Sequence, residues 1–284
     1  IRDRKIYLTE ALTLEANKAV DMAVAEGKPF YLYMSHYAVH APWQKDDRFI
    51  ESYTKAGLKG LPAVYASMIE GMDKSLGDIM ANLRRHGIED ETIVVFMSDN
   101  GCAKELPRNL PLRGHKISPY EGGIRVPMIV KWPGVVEPNS VCDEDYVIIE
   151  DIFPTFLEIA GLREYEQVGG VIDGRSFVGL LKGKKGLSKE RAVFWHYPHT
   201  YDPQVPAYSS VRQDDWKLIY HHASRKLELF NLKEDIGEKN DLAVVHEQKK
   251  LELVKVLSDY LREAGGQMPI DKATGKPVEY PDEI

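Results

Sequence analysis

The chain is 284 residues long, 43% hydrophobic and 29% charged, which supplies enough apolar material for a large core and excludes a fibrous protein, a wholly disordered chain and a small disulfide scaffold. Its 37 basic and 44 acidic residues give a formal net charge of -7, which argues against a non-specific nucleic-acid binder. No apolar run reaches the roughly 18 residues of a membrane-spanning helix. The two cysteines, Cys102 and Cys142, form neither a CxxC pair nor a thiolate cluster. No apolar segment of a signal peptide follows the opening IRDRK, and a first residue of Ile reads as a chain processed or cut from something longer.

Residues 9–26 have the pattern of a helix. Leu12, Ala16, Ala19, Ala23 and Val24 share a face, Thr9 is placed to cap it, and Gly27 with Pro29 stops it. The continuous apolar run from Phe30 to Met34 predicts a strand buried on both faces, with the histidine-bearing SHYAVHAP at its carboxyl end. Residues 43–60, rich in charge and containing Gly57 and Gly60, predict an exposed excursion. A long helix is predicted over 62–86, with Pro62 in its first turn, Gly87 at its C-cap, and Val64, Met68, Met72, Leu76, Ile79 and Leu83 as its apolar stripe. Residues 92–97 and RVPMIVKWPG read as two more strands, the former running straight into Asp99, Asn100 and Gly101. Between them, 102–125 is a loop punctuated by Gly and Pro; residues 150–160 read as a short helix.

This order of strand, helix and strand implies an α/β class, with a mostly parallel sheet covered by helices. The composition then shifts. Residues 163–190 are rich in Gly, Lys and Glu and predict a surface connection. FWHY, YSSVRQD, WKLIYHH and KLELFNL follow as short strands, and 244–263 as an amphipathic helix bearing Val244, Leu251, Val254, Leu257 and Leu261. The predicted organisation is a larger α/β domain over 1–185, a smaller α+β domain with an antiparallel sheet over 186–264, and a tail over 265–284.

Four places carry candidate chemistry. Asp99 and Asn100 stand at a strand's carboxyl end, where open α/β sheets bind ligands, and both offer the hard oxygens that calcium or magnesium takes. Asp-Asn-Gly is equally a turn sequence, and two ligands are few for an ion that takes six to eight oxygens. His40 follows the strand at 30–34 and can accept or donate a proton; a loop histidine bonded to backbone is the alternative, and His36 is the other candidate for that structural role. The loop PLRGHKISPYEGGIRVP concentrates Arg113, His115, Lys116 and Arg125 beside Gly114, Gly122 and Gly123, which suits an oxyanion; a solvated charged loop is the alternative. Glu121 is placed to hold one of these cations or to cancel it. FWHYPH places His196 and His199 among aromatic residues, suited either to a carbohydrate or to packing. No Walker loop, dinucleotide fingerprint, zinc finger or GxSxG elbow is present.

Read in order, YLTEALTLEA, PFYLYMSHYAVHAP, GMDKSLGDIM, VVFMSDNG, LRGHKISPYEGGIRVPMIVKWPG, DIFPTFLEIAG, DGRSF, VFWHYPH and SSVRQDDWKLI resemble the type I sulfatases, from about residue 7 to 260. SDNG followed by the LRG.K....EGG.RVP loop is the specific part. The resemblance implies an alkaline-phosphatase-like α/β sandwich with a smaller C-terminal domain, and hydrolysis of sulfate esters, less often sulfamates, at a calcium site. It implies Asp99 and Asn100 as metal ligands, Lys116 on the sulfate, and His40 on the sulfate and the leaving-group oxygen. His196 and His199 match a stretch near the substrate pocket of some members, and Arg113 and His115 lie in the sulfate loop. The implied substrate is a sulfated small molecule or glycan, and the implied location is periplasmic or secreted.

The departures bear on the chemistry. The family carries an N-terminal half with a pair of metal-binding aspartates and a C-x-P-S-R segment whose cysteine or serine becomes formylglycine. Neither occurs in this sequence: Cys102 lies in GCAKE and Cys142 in VCDED. The resemblance is therefore to the C-terminal portion of a sulfatase, expected to be inactive by itself, to bind calcium weakly or not at all, and to self-associate through a bare sheet edge. The other readings are a phosphatase or phosphodiesterase of the same superfamily and a non-catalytic glycan-binding or scaffold module.

Overall fold

The structure is a computed structural model that describes residues 5–106, 109–162, 170–200 and 205–284. The chain divides into two compact units, one of residues 1–94 with 131–133, the other of residues 95–130 with 134–284. The boundary predicted near residue 185 falls inside the second unit. Part of the predicted connection over 163–190, residues 163–169, lies outside the described residues.

In the first unit, α1 (Leu8–Ala25) packs on α3 (Leu61–Arg85), with α2 (Ile50–Lys55) between them in the chain. The contact face differs from the predicted apolar stripes. On α1 it is Thr9, Thr13, Ala16 and Val20 that are buried; on α3 it is Ala63, Ser67, Gly71, Ser75 and Asn82, at helical spacing, alongside Met68 and Leu83. Small side chains let the helices approach, and Thr13, Ser75 and Asn82 bond across the contact. Thr13 Oγ1 lies 2.6 Å from Ser75 Oγ, and Asn82 Nδ2 donates to Asn17 O at 3.2 Å and to Asp21 Oδ1 at 3.0 Å. Val64, Met72, Leu76 and Ile79 are only partly covered.

Two more expectations change here. Residues 30–34 form no strand: Tyr31 and Tyr33 are 72% and 78% exposed. An apolar run records a tendency to be covered, but a strand exists only where a second backbone completes its hydrogen bonds. The segment 43–60 is not wholly exposed either. Asp46 is buried against Gly71 and bound by Arg48, whose Nε donates to Oδ1 at 2.9 Å; Arg48 also pairs with Glu10.

The second unit is built around an antiparallel sheet. After β1 (Val94–Met97), which pairs with β2 (Met128–Lys131) and is separated from it by the short helix α4 (Glu121–Ile124), come α5 (Ile152–Ile159) and α6 (Val178–Leu181). The four strands β3 (Ala192–Tyr197), β4 (Tyr208–Gln213), β5 (Trp216–His221) and β6 (Lys226–Asn231) then pair in sequence order, followed by α7 (Glu247–Glu263). Alternation along these strands gives the sheet two covered faces. On one, Val211, Leu218, Tyr220 and Leu229 pack under Leu253, Leu257 and Leu261 of α7. On the other, Tyr208, Ile219 and Phe230 pack with Ile117 and Tyr120 of the long loop after β1.

Residues 265–284 are no loose tail. Met268 and Val278 are buried in the core beneath α7, Ile270 bridges Pro277, and Tyr220 Oη donates to Glu279 O at 3.0 Å. Their lack of periodicity reflects irregular backbone, which packing does not forbid. Phe177 and Val178 are likewise buried within the predicted surface connection.

Candidate functional site

The predicted loop closes onto the end of β1. Asp99, exposed, and Asn100, half-buried, form a bend just past the strand, held by Ser98 Oγ donating to Asn100 O at 3.0 Å. Gly101 N then donates to Gly123 O at 3.0 Å, and Lys116 N to Cys102 O at 2.8 Å. Further bonds close the loop on itself: Gly122 N donates to Arg113 O at 2.7 Å, and Asn109 Nδ2 to Gly122 O at 2.8 Å. A side chain at Gly101 would collide with the Gly122 carbonyl, and one at Gly123 with Ser118 O, so the glycines serve close approach here rather than flexibility. Asp99, Asn100 and Lys116 are thereby tied into one backbone knot.

Lys116 is half-buried, and the residue after it, Ile117, has φ +82. A β-branched residue in that region is strained and persists only where packing holds it, as the apolar cluster on the sheet does. Glu121 is taken by other cations: Lys217 Nζ at 3.0 Å and Arg125 at 3.6 Å. Among the described residues no acidic side chain pairs with the Lys116 ammonium. His115 donates from Nδ1 to Lys116 O at 2.9 Å, which leaves Nε2 with the lone pair in the neutral ring. Arg113 is committed to structure: its guanidinium lies 3.7 Å from the Tyr120 ring centroid, and Nη1 donates to Glu238 O at 2.9 Å.

His40 belongs to the first unit. It is exposed, its Nδ1 donates to Ala41 O at 2.6 Å, and its ring meets Tyr37 edge-on at 5.6 Å. The neutral ring therefore keeps its free lone pair on Nε2. His36 is half-buried with Nδ1 unpartnered among the described residues, and burial lowers its pKa.

His196 is hydrogen-bonded through both ring nitrogens. The carbonyl of Gln267, 3.1 Å from His196 Nε2, can only accept, so that nitrogen carries the proton. Nδ1 then accepts from Ser209 Oγ at 2.8 Å, and Ser209 Oγ accepts from Nε2 of the buried His222 at 2.8 Å. Burial lowers the pKa of both rings, that of His222 to about 3. His199 is exposed and rests on the Tyr197 ring at 4.1 Å.

As a metal site, Asp99 and Asn100 are right in kind and insufficient in number. Among the described residues no group of three or more His, Cys, Asp or Glu is arranged to hold an ion, and calcium takes six to eight oxygens.

Residues not anticipated from sequence lie beneath the loop. Lys217, fully buried, reaches Glu238 at 2.8 Å as well as Glu121, and Tyr120 Oη donates to Glu228 Oε2 at 2.7 Å. Burial raises the Glu121 carboxyl, but Lys217 together with Arg212 and Arg125 outweighs it and leaves it below the usual range; for Glu238 burial wins and the carboxyl is raised. One sequence signal marked Lys217: a lysine on the inward alternation of WKLIYH, in an otherwise apolar strand.

Comparison with known proteins places the chain in a family. The sulfatase family model matches residues 2–162, and a second, described as N-sulphoglucosamine sulphohydrolase, C-terminal, matches residues 115–267. The chain belongs to the sulfatase family. It is 33% identical over 274 residues to a sulfatase of Formosa agariphila, covering 90% of this chain and 50% of that protein. It is 29% identical over 261 residues to the N-acetylgalactosamine-6-O-sulfatase of Bacteroides thetaiotaomicron, covering 85% and 49%. Among solved structures, it matches Ps i-CgsB in complex with k-i-k-neocarrahexaose with a TM-score of 0.79 at 28% identity, covering 90% of this chain and 55% of that one. Its structural neighbours include sulfatases of the alkaline-phosphatase-like fold. The chain spans about half the length of the curated relatives it matches.

Proposed function

We propose that the chain is the C-terminal portion of a sulfuric ester hydrolase acting on a sulfated carbohydrate, in which Lys116 and His40 act on the sulfate. The observation that carries this reading is the half-buried Lys116, free of carboxylate partners among the described residues, on a loop knotted to Asp99 and Asn100. An ammonium so placed neutralises charge on sulfuryl oxygens as it grows in the transition state. His40, with Nδ1 donating to Ala41 O, takes up a proton on the lone pair of Nε2, and as the imidazolium hands that proton to the departing alcohol oxygen. The carbohydrate preference is supported by relatives that are named for N-acetylgalactosamine sulfate or hold a neocarrahexaose. Asp99 and Asn100 remain candidate metal ligands needing further oxygens, and no step is routed through them.

These 284 residues contain no C-x-P-S-R segment, so the nucleophile implied by the resemblance is not among them and the chain alone is expected to release no sulfate. The test is sulfate release from N-acetylgalactosamine-6-sulfate and from an aryl sulfate, by this chain and by the reading frame extended upstream to such a segment. The extended protein releases carbohydrate sulfate, and K116A lowers the rate about 100-fold. Release by the 284-residue chain would overturn its incompleteness, and an unchanged rate in K116A would overturn the lysine's role.

A further inference from the structure

The sheet face opposite α7 carries an unusual group. Lys217 is fully buried in β5, on the face where its neighbours Ile219 and Phe230 are apolar. Its ammonium lies 3.0 Å from Glu121 Oε1 and 2.8 Å from Glu238 Oε1, and the second oxygen of Glu238 accepts from Glu121 N at 2.6 Å. A buried ion cluster is poor value as plain stability, because desolvation offsets most of the attraction. What this one has is position. Glu121 immediately precedes Gly122 and Gly123, the residues that bind Asn109 and Gly101 and so close the knot around Lys116.

We infer that Lys217 is a positioning residue: through Glu121 and Glu238 it clamps the Lys116 loop to the sheet and fixes the lysine beside Asp99 and Asn100. The loop has other attachments, Tyr120 on Glu228 and Arg113 on the Glu238 carbonyl, but both precede Glu121 and neither holds the Glu121 backbone. Lys217 thus acts on the ammonium of Lys116 through two carboxylates and a run of backbone hydrogen bonds, without touching the anion. The link to sulfate rests on the function proposed above; the clamp does not.

The test uses amide hydrogen exchange on the 284-residue chain, with inorganic sulfate as the probe ligand. In K217M, exchange at the Gly101, Lys116, Gly122 and Gly123 amides is expected to rise about tenfold or more, while the Leu257 and Leu261 amides of α7 stay within about twofold of wild type. Equal acceleration everywhere, or none at the four loop amides, overturns the clamp. Should K217M fail to fold, the charge-free cluster E121Q/K217M/E238Q replaces it, with the same local loosening expected. In a sulfate titration followed at the His115 and Lys116 amides, K217M is expected to need about tenfold more sulfate for the same shift. Equal affinity in both proteins overturns the positioning role. If the wild-type chain binds no sulfate while its loop loosens in K217M, the sulfate reading fails and the clamp stands.

Discussion

Lowering the pH from 7 to 5 should weaken the second unit through one buried ring. His222 is 1% exposed; its Nε2 proton is spent on Ser209 and its Nδ1 is buried without a partner among the described residues. Burial holds its folded-state pKa at about 3 against an ordinary 6.5, with the neighbouring His196, His221 and Arg225 acting in the same direction. Because the folded value is depressed, the unfolded chain takes up the proton first. The stabilisation is complete above pH 6.5 and is lost as the pH falls towards 3. Linkage gives a loss of about 2 kcal/mol between pH 7 and pH 5, then about 1.4 kcal/mol per pH unit down to about pH 3. Carboxylates complicate this window little. Glu228, raised by burial but held well below the usual range by His221, Lys226 and Tyr120, begins to lose its contribution only near its ordinary 4.5. The assay is urea unfolding at both pH values, followed by tryptophan fluorescence, for wild type and H222Q, whose amide nitrogen stands near the place of Nε2 and can still donate to Ser209. The wild type should lose about 2 kcal/mol more than the variant between pH 7 and pH 5. The raised Glu238 and the lowered His196 act in both proteins and cancel in this difference. Equal losses would refute the argument.

Three other outcomes are expected. G101A places a Cβ against the Gly122 carbonyl and should cost about 3 kcal/mol in chemical denaturation, with loss of slow exchange at the Lys116 amide. D151N breaks a buried pair in which both Asp151 oxygens accept from Arg191 at 2.7 Å, and should cost about 3 kcal/mol, read from the unfolding midpoint. A chain ending at Ala264 strips Met268 and Val278 from the core and removes the Gln267 acceptor of His196; a loss of about 4 kcal/mol is expected by thermal unfolding.

Much of the candidate site was legible because its elements are local. SDNG and the glycine-rich loop announce themselves by residue type, and backbone hydrogen bonds from Gly101 to Gly123 and from Lys116 to Cys102 tie the two together. The roles within the loop were less legible. Arg113 and Arg125 look like Lys116 in the sequence, yet Arg113 is stacked on Tyr120 and Arg125 leans on Glu121, and of these three it is Lys116 whose charge has no carboxylate or ring partner among the described residues. Glu121 was recognised as a partner for a cation, but its main partner, Lys217, is 96 residues away.

The sequence by itself determined the helices over 8–25, 61–85 and 247–263, the four-strand meander, and membership of the sulfatase family, because periodicity, caps and motif order are properties of neighbouring residues. Tertiary structure alone decided that α1 meets α3 through small polar side chains, that residues 30–34 stay out of any ladder, that 265–284 complete a core, and that one buried lysine grips the loop. Each of these depends on which distant backbone lies within hydrogen-bond or van der Waals reach, a quantity that no window along the chain contains.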